Sequence, residues 1–595
     1  MNLGQAPVSA SVAIIGAGAG GLISAQVLRA HGHRVRVFER QLDVGGTWLY
    51  DPLNDAERRA ASGRPAYSSL YASLRTNLPT SLMGVPGFDA WDDDDDDDDE
   101  DDQPAHLATA AAATVGAAAA AAAAGGGGGA NAAAAAAAAA ADRPSFPGHD
   151  GVLRYLRRFA AHHDLKPHIR FGMSVEAVRP VSPPPPPAAT AAAAAAAAAV
   201  PVLGCDGSAL PRWRVRAVLA QGSPDEQQQQ RRQEGEVGAV EEEDFDAVLV
   251  CNGHYAQPFT PEVDGAAAFE AAGGVVMHAH DYRAPRAAAF GGKRVLLLGA
   301  AASAEDISRE LAGVAAAVLV SHASNGPAVA RDGPISRCPA LARLTGGGEA
   351  EFATGERVAV DVVLFATGYR FSFPFLDGAT LPPPPPPPPL PEAAGAVAAA
   401  GAEAAGGEPL LLRRTRGTVD AAGGAVGAAA EEEEDVAERF VAPLFEQVAH
   451  AVLPNLGFIG LPFRVVPFPL FQQQATWFAR LLAGTAATAL PPLAERLAAH
   501  EARLEEMRTA AAGSGGAGAP LRHYHLMGDA QWAYGARLLA ESGAPPPDAR
   551  LPKLRDAVSA AKRSDPLRYR QWRFALEEGG QGFSASPPGP VAAQQ

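Results

Sequence analysis

Two stretches of this chain share one hydrophobic pattern. Each has an apolar run of strand type, a turn of glycine and alanine, apolar positions at helical spacing, and a second apolar run. The first, VAIIGAGAGGLISAQVLRAHGHRVRVFER, begins at Val12; the second, KRVLLLGAAASAEDISRELAGVAAAVLVSHAS, begins at Lys293. WRVRAVLA and DFDAVLVCNGHY read as further strands, the latter ending in a turn at Asn252 and Gly253. AVDVVLFATGY reads as a strand entering a turn at Thr367 and Gly368. Strands alternating with helices predict an α/β architecture built on parallel sheets.

Four stretches break the pattern: residues 92–141 (acidic, then alanine and glycine), 182–200 (a proline run and an alanine run), 221–243 (Gln/Glu-rich) and 377–436 (proline, glycine, alanine and glutamate). They lack apolar side chains to offset the entropy of ordering a backbone, so they are expected to be solvated loops.

Length and charge narrow the picture further. The 595 residues suffice for two to four domains. The formal charge is −17, but residues 92–102 alone hold eleven acids, and subtracting them leaves −6. Nucleic acid and anionic membrane are therefore not expected partners. The three cysteines, Cys205, Cys251 and Cys338, are isolated, which indicates neither a disulfide framework nor a metal site and fits the reducing cytoplasm. A strand begins by about Val12, leaving no room for a signal peptide, and no stretch has the composition of a membrane span.

The two glycine turns differ in chemistry. Gly16, Gly18 and Gly21 complete a G-x-G-x-x-G turn, whose glycines permit the bend, close approach to a pyrophosphate and tight helix–strand contact. Helix-start N–H groups then face phosphate, and Glu39, 18 residues beyond Gly21, is placed to accept from a ribose 2′-OH. That carboxylate would repel a 2′-phosphate, so FAD or NAD fits this turn better than NADP. The second turn keeps Gly299 but has Ala301 and Ala304 at the other two positions, with Ser303, Asp306 and Ser308 opening its helix. Its following strand ends in Ser321, His322 and Ala323 where an NAD site carries an acid. On these residues alone, the second turn is as compatible with an ordinary α/β core as with a nucleotide site.

Taken together, the motifs resemble the flavin-containing monooxygenases, most closely the plant branch that S-oxygenates glucosinolate-type thioethers. GAGAGG, Glu39 and GGTW (Gly45, Gly46, Thr47, Trp48) are similar to that family's FAD-binding start. YASLRTNLPTSLMGVPGF is similar to its active-site segment, with Asn77 at the functional asparagine. Gly274, His278 and Tyr282 meet the identifying motif F-x-G-x-x-x-H-x-x-x-[Y/F], although Ala272 replaces its phenylalanine. FATGYRFSFPFL, with Thr367 and Gly368, and the segment carrying Gln474 also match. In that branch alanine is common at the second fingerprint glycine, which makes GAAASAEDIS resemble a working NADPH turn. Ala323 stands near where the resemblance leads one to expect a 2′-phosphate arginine, a role that would then fall to His322, Arg331 or Arg337.

The resemblance implies two Rossmann-like dinucleotide-binding domains, an FAD domain with an inserted NADPH domain, interrupted by low-complexity loops. The FAD domain would occupy residues 1–262 and 366–595, and the NADPH domain residues 263–365. It implies hydride transfer from NADPH to FAD, a flavin C4a-hydroperoxide, and transfer of one oxygen to a small nucleophilic substrate, a thioether sulfur or an amine; the other oxygen leaves as water. No metal is required. Asn77 would act beside the flavin. Gly45, Gly46, Trp48 and Gln474 would join the cofactor sites, with Trp48 chiefly a packing residue, and His278 and Tyr282 would hold the junction between domains. A catalytically inactive FAD-binding homologue, and N-hydroxylating, auxin-synthesis-type or Baeyer–Villiger-type relatives, are the alternatives.

Overall fold

The computed structural model describes residues 9–91, 145–181, 210–220, 240–322, 330–376, 440–512, 523–577 and 582–588. The sequence blocks at 92–141, 182–200 and 377–436 lie outside these residues, as do 221–239 of the fourth block and Ala323.

The fold rests on two predominantly parallel sheets. The seven-stranded sheet runs Leu444–Phe445, Ala449–His450, Leu456–Phe458, Ala247–Val250, Ser11–Ile15, Arg34–Phe38, Ile169–Arg170, with only its first two pairings antiparallel. It thus draws on N-terminal, central and C-terminal segments. The six-stranded sheet runs Ala330–Asp332, Ile335–Cys338, Ala317–Ser321, Arg294–Leu298, Val362–Phe365, Val275–His278, and is parallel except at the Ala330–Asp332 edge. Its members all come from residues 275–365. The central strands AVLV and VVLF are buried at every position, the continuous apolar pattern demanded when both faces of a parallel sheet are covered.

Both sheets are covered in the same way. Helices lie on one face: Ala19–Ala30, His149–His162 and Pro467–Ala483 on the first sheet, and Ala302–Leu311 on the second. A three-stranded antiparallel sheet lies on the other. For the first sheet this layer is Met173–Val181, Arg212–Leu219 and Val240–Phe245, which bury Trp213, Val215 and Ala217 against the parallel strands. For the second it is Leu341–Thr345, Glu349–Phe352 and Arg357–Ala359.

One expectation is corrected here. Residues 240–243, assigned to a Gln/Glu-rich loop, begin the strand Val240–Phe245. Their acids meet arginines: Glu242 faces Arg216 across the ladder at 3.7 Å, Glu243 pairs with Arg36 of the Arg34–Phe38 strand, and the next residue, Asp244, faces Arg214 and is bonded by it at 2.7 Å. Opposite charges across a ladder stabilise what composition alone reads as loop. WRVRAVLA is a strand as expected, and it belongs to this antiparallel layer and not to the parallel sheets.

The C-terminal segment (Ala530–Ser542, Arg550–Ser564 and the hairpin Arg573–Leu576/Phe583–Ser586) closes over Leu82 and Phe146, beside the segment that carries Asn77. Among the described residues no helix is long and apolar enough to cross a membrane.

Candidate active site between two nucleotide turns

The two turns are built in the same register. Ile15 pairs with Phe38 and Leu298 with Ser321. Gly16 N then donates to Phe38 O at 2.8 Å, and Gly299 N to Ser321 O at 3.1 Å. On the other side Cys251 N donates to Ile15 O at 2.9 Å, and Ala366 N to Leu298 O at 2.8 Å. Gly18 caps the first helix with φ −71° and ψ −177°; Ala301 caps the second with φ −86° and ψ −177°. Ala301 is therefore the counterpart of Gly18, Ala304 of Gly21, His322 of Glu39, and Thr367–Gly368 of Asn252–Gly253.

The glycines are required for different reasons. A Cβ at Gly16 (φ +101°) would stand 2.7 Å from the Cys251 carbonyl oxygen, and one at Gly21 would overlap the Gly16 carbonyl oxygen. At Gly299 (φ +124°) a Cβ would overlap the Ala366 carbonyl oxygen. These three are fixed by the chain's own packing. Gly18 is not: the nearest protein atom to a Cβ there is the Gly46 Cα at 3.5 Å, and the backbone is ordinary extended. Nothing among the described residues asks for glycine at 18. The open space in front of it, beside helix-start N–H groups without acceptors in the helix, fits a pyrophosphate.

In the second turn Ala301, Ala302 and Ser303 are exposed, and Ala304 is fully buried in the core beneath the helix. Ala304 thus stands where the first turn has Gly21, with its methyl group packed into that core. Ala301 adopts the conformation of Gly18 without strain, so its methyl group narrows only the space in front of the turn.

Glu39 is buried, with Oε2 accepting from Ala17 N at 2.6 Å and Oε1 from Gln41 N at 2.8 Å. Burial pushes its pKa above the usual carboxylate range, opposed by those two N–H groups. It bonds the turn residue next to Gly18, and its remaining lone pairs are available to a ribose hydroxyl. At the equivalent place the second turn has His322, exposed, while the Ser321 hydroxyl turns inward to Pro339 O at 2.6 Å. Among the described residues no carboxylate takes the place of Glu39 there.

Gly45 and Gly46 lie against the first turn: Gly45 N donates to Ala17 O at 3.0 Å, and a Cβ at Gly46 would be 2.9 Å from the Gly18 Cα. Trp48 packs on the adjoining core. The helix His149–His162 covers this pair, with Leu153 against Gly45, and its N-terminal Gly148 forms a bridge with Arg75. Two residues on is Asn77, exposed, between Thr76, whose N–H donates to Pro147 O at 3.0 Å, and the short helix Thr80–Met83. On its far side the same segment meets the second turn. Arg570 donates from Nε to Thr76 O at 3.0 Å and from both Nη atoms to the Asp306 carboxylate at 2.9 and 2.8 Å, and Tyr71 OH donates to Asp306 Oδ2 at 3.0 Å.

Some sequence-assigned residues face protein instead of open space. Asp306, expected at a nucleotide, has its carboxylate taken by Arg570 and Tyr71. Gln474 is fully buried; its Oε1 accepts from Gly460 N and its Nε2 donates to Tyr534 OH, both at 3.1 Å. The Thr367 hydroxyl donates to Phe259 O, and Gly368 (φ +92°) shapes the turn behind it. His278 and His280 are buried beside Tyr369, and burial holds His278 neutral by pushing its pKa down to about 4. Tyr282 donates to Glu310 at 2.7 Å, and Arg283 is buried among carbonyl groups of residues 53, 68, 280 and 282. The Gly274 of the motif is explained by packing, because a Cβ there would overlap the Phe269 ring. Sequence reasoning missed Tyr71, Lys562 and Arg570; the run of acids in AEDISREL was the one signal that external cations would be needed.

This arrangement defines a dinucleotide-dependent oxidoreductase with two Rossmann-type sites. Residues 14–66 match the model of an NAD(P)-binding Rossmann-like domain, and residues 228–334 that of flavin-binding monooxygenase-like proteins. The chain is 29% identical over 578 residues to the flavin-containing monooxygenase FMO GS-OX-like 4 of Arabidopsis thaliana, covering 94% of each protein. Among solved structures it is similar to S-allyl-L-cysteine S-oxygenase from Allium sativum (27% identity, TM-score 0.64, 95% of this chain and 96% of that one). It shares its fold with Tmm from a Pelagibacter strain (18% identity, TM-score 0.59, 97% and 96% covered). Over nearly its whole length the chain is similar to flavin-containing monooxygenases, and its two sites are those of a flavoprotein oxidoreductase using FAD and a nicotinamide dinucleotide.

Proposed function

We propose that this protein is an NADPH- and O2-dependent monooxygenase that transfers one oxygen atom to a soft nucleophile, a thioether sulfur in preference to an amine nitrogen. The observation that carries the reading is the position of the Asn77 segment, hydrogen-bonded on one side to elements that cover the Gly18 turn and on the other to the Ala302–Leu311 helix. FAD, when bound, supplies the chemistry of hydride acceptance and oxygen activation. The first turn holds its pyrophosphate in front of Gly18, with Gly45 and Gly46 behind, and Glu39 takes the ribose. The second turn, formed by Gly299, Ala301, Ser303 and Ala304 and backed by Thr367 and Gly368, takes the nicotinamide dinucleotide. The absence of a carboxylate at His322 favours the phosphorylated form. Asn77, exposed between these turns, offers an amide that both donates and accepts toward the reacting groups. The preference for sulfur rests on the likeness to the Allium S-oxygenase.

The test is anaerobic mixing of FAD-loaded protein with NADPH and, separately, NADH, followed by admission of oxygen with a simple thioether such as thioanisole. Flavin bleaching faster with NADPH, then sulfoxide formation, is the expected result. Bleaching by neither nucleotide would overturn the reading in favour of a binding-only homologue.

A further inference from the structure

The Ala302–Leu311 helix is gripped from outside its own sheet at three acids. Lys562 Nζ donates to Glu305 Oε2 at 2.8 Å, Tyr282 OH to Glu310 Oε2 at 2.7 Å, and Arg570 with Tyr71 to Asp306. The Asp306 grip differs from the others in joining three places at once. The Arg570 side chain is 19% exposed and that of Asp306 12%. The guanidinium uses both Nη donors on the Asp306 carboxylate and its Nε on the carbonyl of Thr76, the residue before Asn77. A planar fork can bond a carboxylate and a carbonyl in fixed relative orientation; a lysine ammonium is a compact charge on a flexible stem that does not fix that orientation.

We propose that Arg570 and Asp306, with Tyr71, form a tether that sets the distance between the nicotinamide-nucleotide turn and the Asn77 segment, making Arg570 a positioning residue for coupled oxygenation. The inference rests on the functional reading above. In the coupled reaction one NADPH, one proton and one O2 convert a thioether into a sulfoxide, NADP⁺ and one water. In the uncoupled reaction the same NADPH, proton and O2 give NADP⁺ and hydrogen peroxide, and the thioether is unchanged. A displaced Asn77 segment shifts the partition toward peroxide. A displaced second turn slows flavin reduction.

The experiment measures, in FAD-loaded protein, the anaerobic bleaching rate with NADPH and the fraction of consumed NADPH recovered as peroxide with thioanisole present. Arg570→Met and Asp306→Asn are each expected to slow bleaching on the order of tenfold and to raise the peroxide fraction. The double variant should be no worse than the poorer single, because the two side chains act as one unit. Arg570→Lys should bleach close to wild type, keeping the charge on Asp306, yet still release excess peroxide, having lost the Thr76 contact. General destabilisation would lower the yield of folded protein without moving a peroxide fraction normalised to NADPH consumed. Wild-type bleaching and coupling in Arg570→Met, or single effects that multiply in the double variant, would overturn the tether. If Arg570→Met does not accumulate, Tyr71→Phe removes only the hydroxyl from Asp306. A smaller change in the same direction supports the proposal, and wild-type behaviour overturns it. Failure of the wild-type protein itself to bleach would remove the functional reading and the tether together, an outcome distinct from variants that match an active wild type.

Discussion

Gly18→Ala and Gly21→Ala change the same fingerprint by one methyl group each, yet the structure requires opposite consequences. At Gly18 the backbone is extended, φ −71° and ψ −177°, and the nearest protein atom to the new Cβ is 3.5 Å away, an ordinary contact. The folded protein loses nothing there. Restricting the unfolded chain even stabilises it, by about 0.4–1 kcal/mol. The methyl group projects instead into the space assigned to the pyrophosphate. Displacing the phosphate from a single charge-assisted N–H bond costs about 1.5–3 kcal/mol, or roughly 10- to 150-fold in FAD dissociation constant. At Gly21 alanine gains about 1 kcal/mol of helix propensity. Its Cβ, however, overlaps the Gly16 carbonyl oxygen, held by a backbone bonded on both sides, and overpacking of this kind costs about 1–3 kcal/mol or more. Thermal melting of apoprotein and FAD titration by flavin fluorescence separate the two. Gly18→Ala should melt at or above the wild-type temperature and bind FAD weakly; Gly21→Ala should melt lower. A Gly18→Ala protein that binds FAD with wild-type affinity would refute the assignment of that space to the pyrophosphate.

Other consequences are checked more simply. Asn77→Ala should retain FAD and flavin reduction but lose sulfoxide formation by an order of magnitude or more, seen as peroxide replacing product; unchanged product refutes the role. Gln474→Leu should leave the Gly460 N–H without its acceptor at a cost of about 1–3 kcal/mol in urea unfolding, with FAD affinity within twofold of wild type; a tenfold weaker affinity would return Gln474 to the cofactor site. His278, pushed down to about 4 by burial, contributes stability that is complete above its unfolded pKa of about 6.5 and is lost as the pH falls toward 4. By pH 5 the loss is about 2 kcal/mol, so His278→Asn should show a shallower fall in Tm between pH 7 and 5 than wild type.

Much of the fold was legible because strand–turn–helix units are local. Val12 to Glu39 and Lys293 to His322 carry their periodicity and their glycines within 30 residues, and the parallel ladders follow from them. The Val240–Phe245 strand was not legible, because its acids are neutralised by Arg214 and Arg36, residues 30 and 207 positions away from their partners. The site divides in the same way. Glycine spacing located both turns, whereas the roles of Asp306 and Gln474 depend on Arg570 and Tyr534, which only tertiary packing brings near. A polar side chain in a motif advertises a bond but not its partner.

The alanine-substituted turn illustrates how far spacing can mislead. In one consensus, Gly18 and Gly21 look equivalent, and losing both in the second turn reads as decay. The structure separates an internal requirement from an external one. Ala304 is accommodated by the protein's own packing, buried without conflict. Ala301 keeps the cap conformation of Gly18 and alters only what a ligand meets. If the second turn takes the nicotinamide dinucleotide as proposed, it is a narrower cradle on an intact frame, and its affinity must come from other contacts, the 2′-phosphate end foremost. Ala301→Gly should then tighten binding of NADPH and NADH by the same factor, several-fold, while leaving their ratio unchanged. A change in the ratio would mean that residue 301 senses the adenosine end, and the correspondence with Gly18 would be wrong.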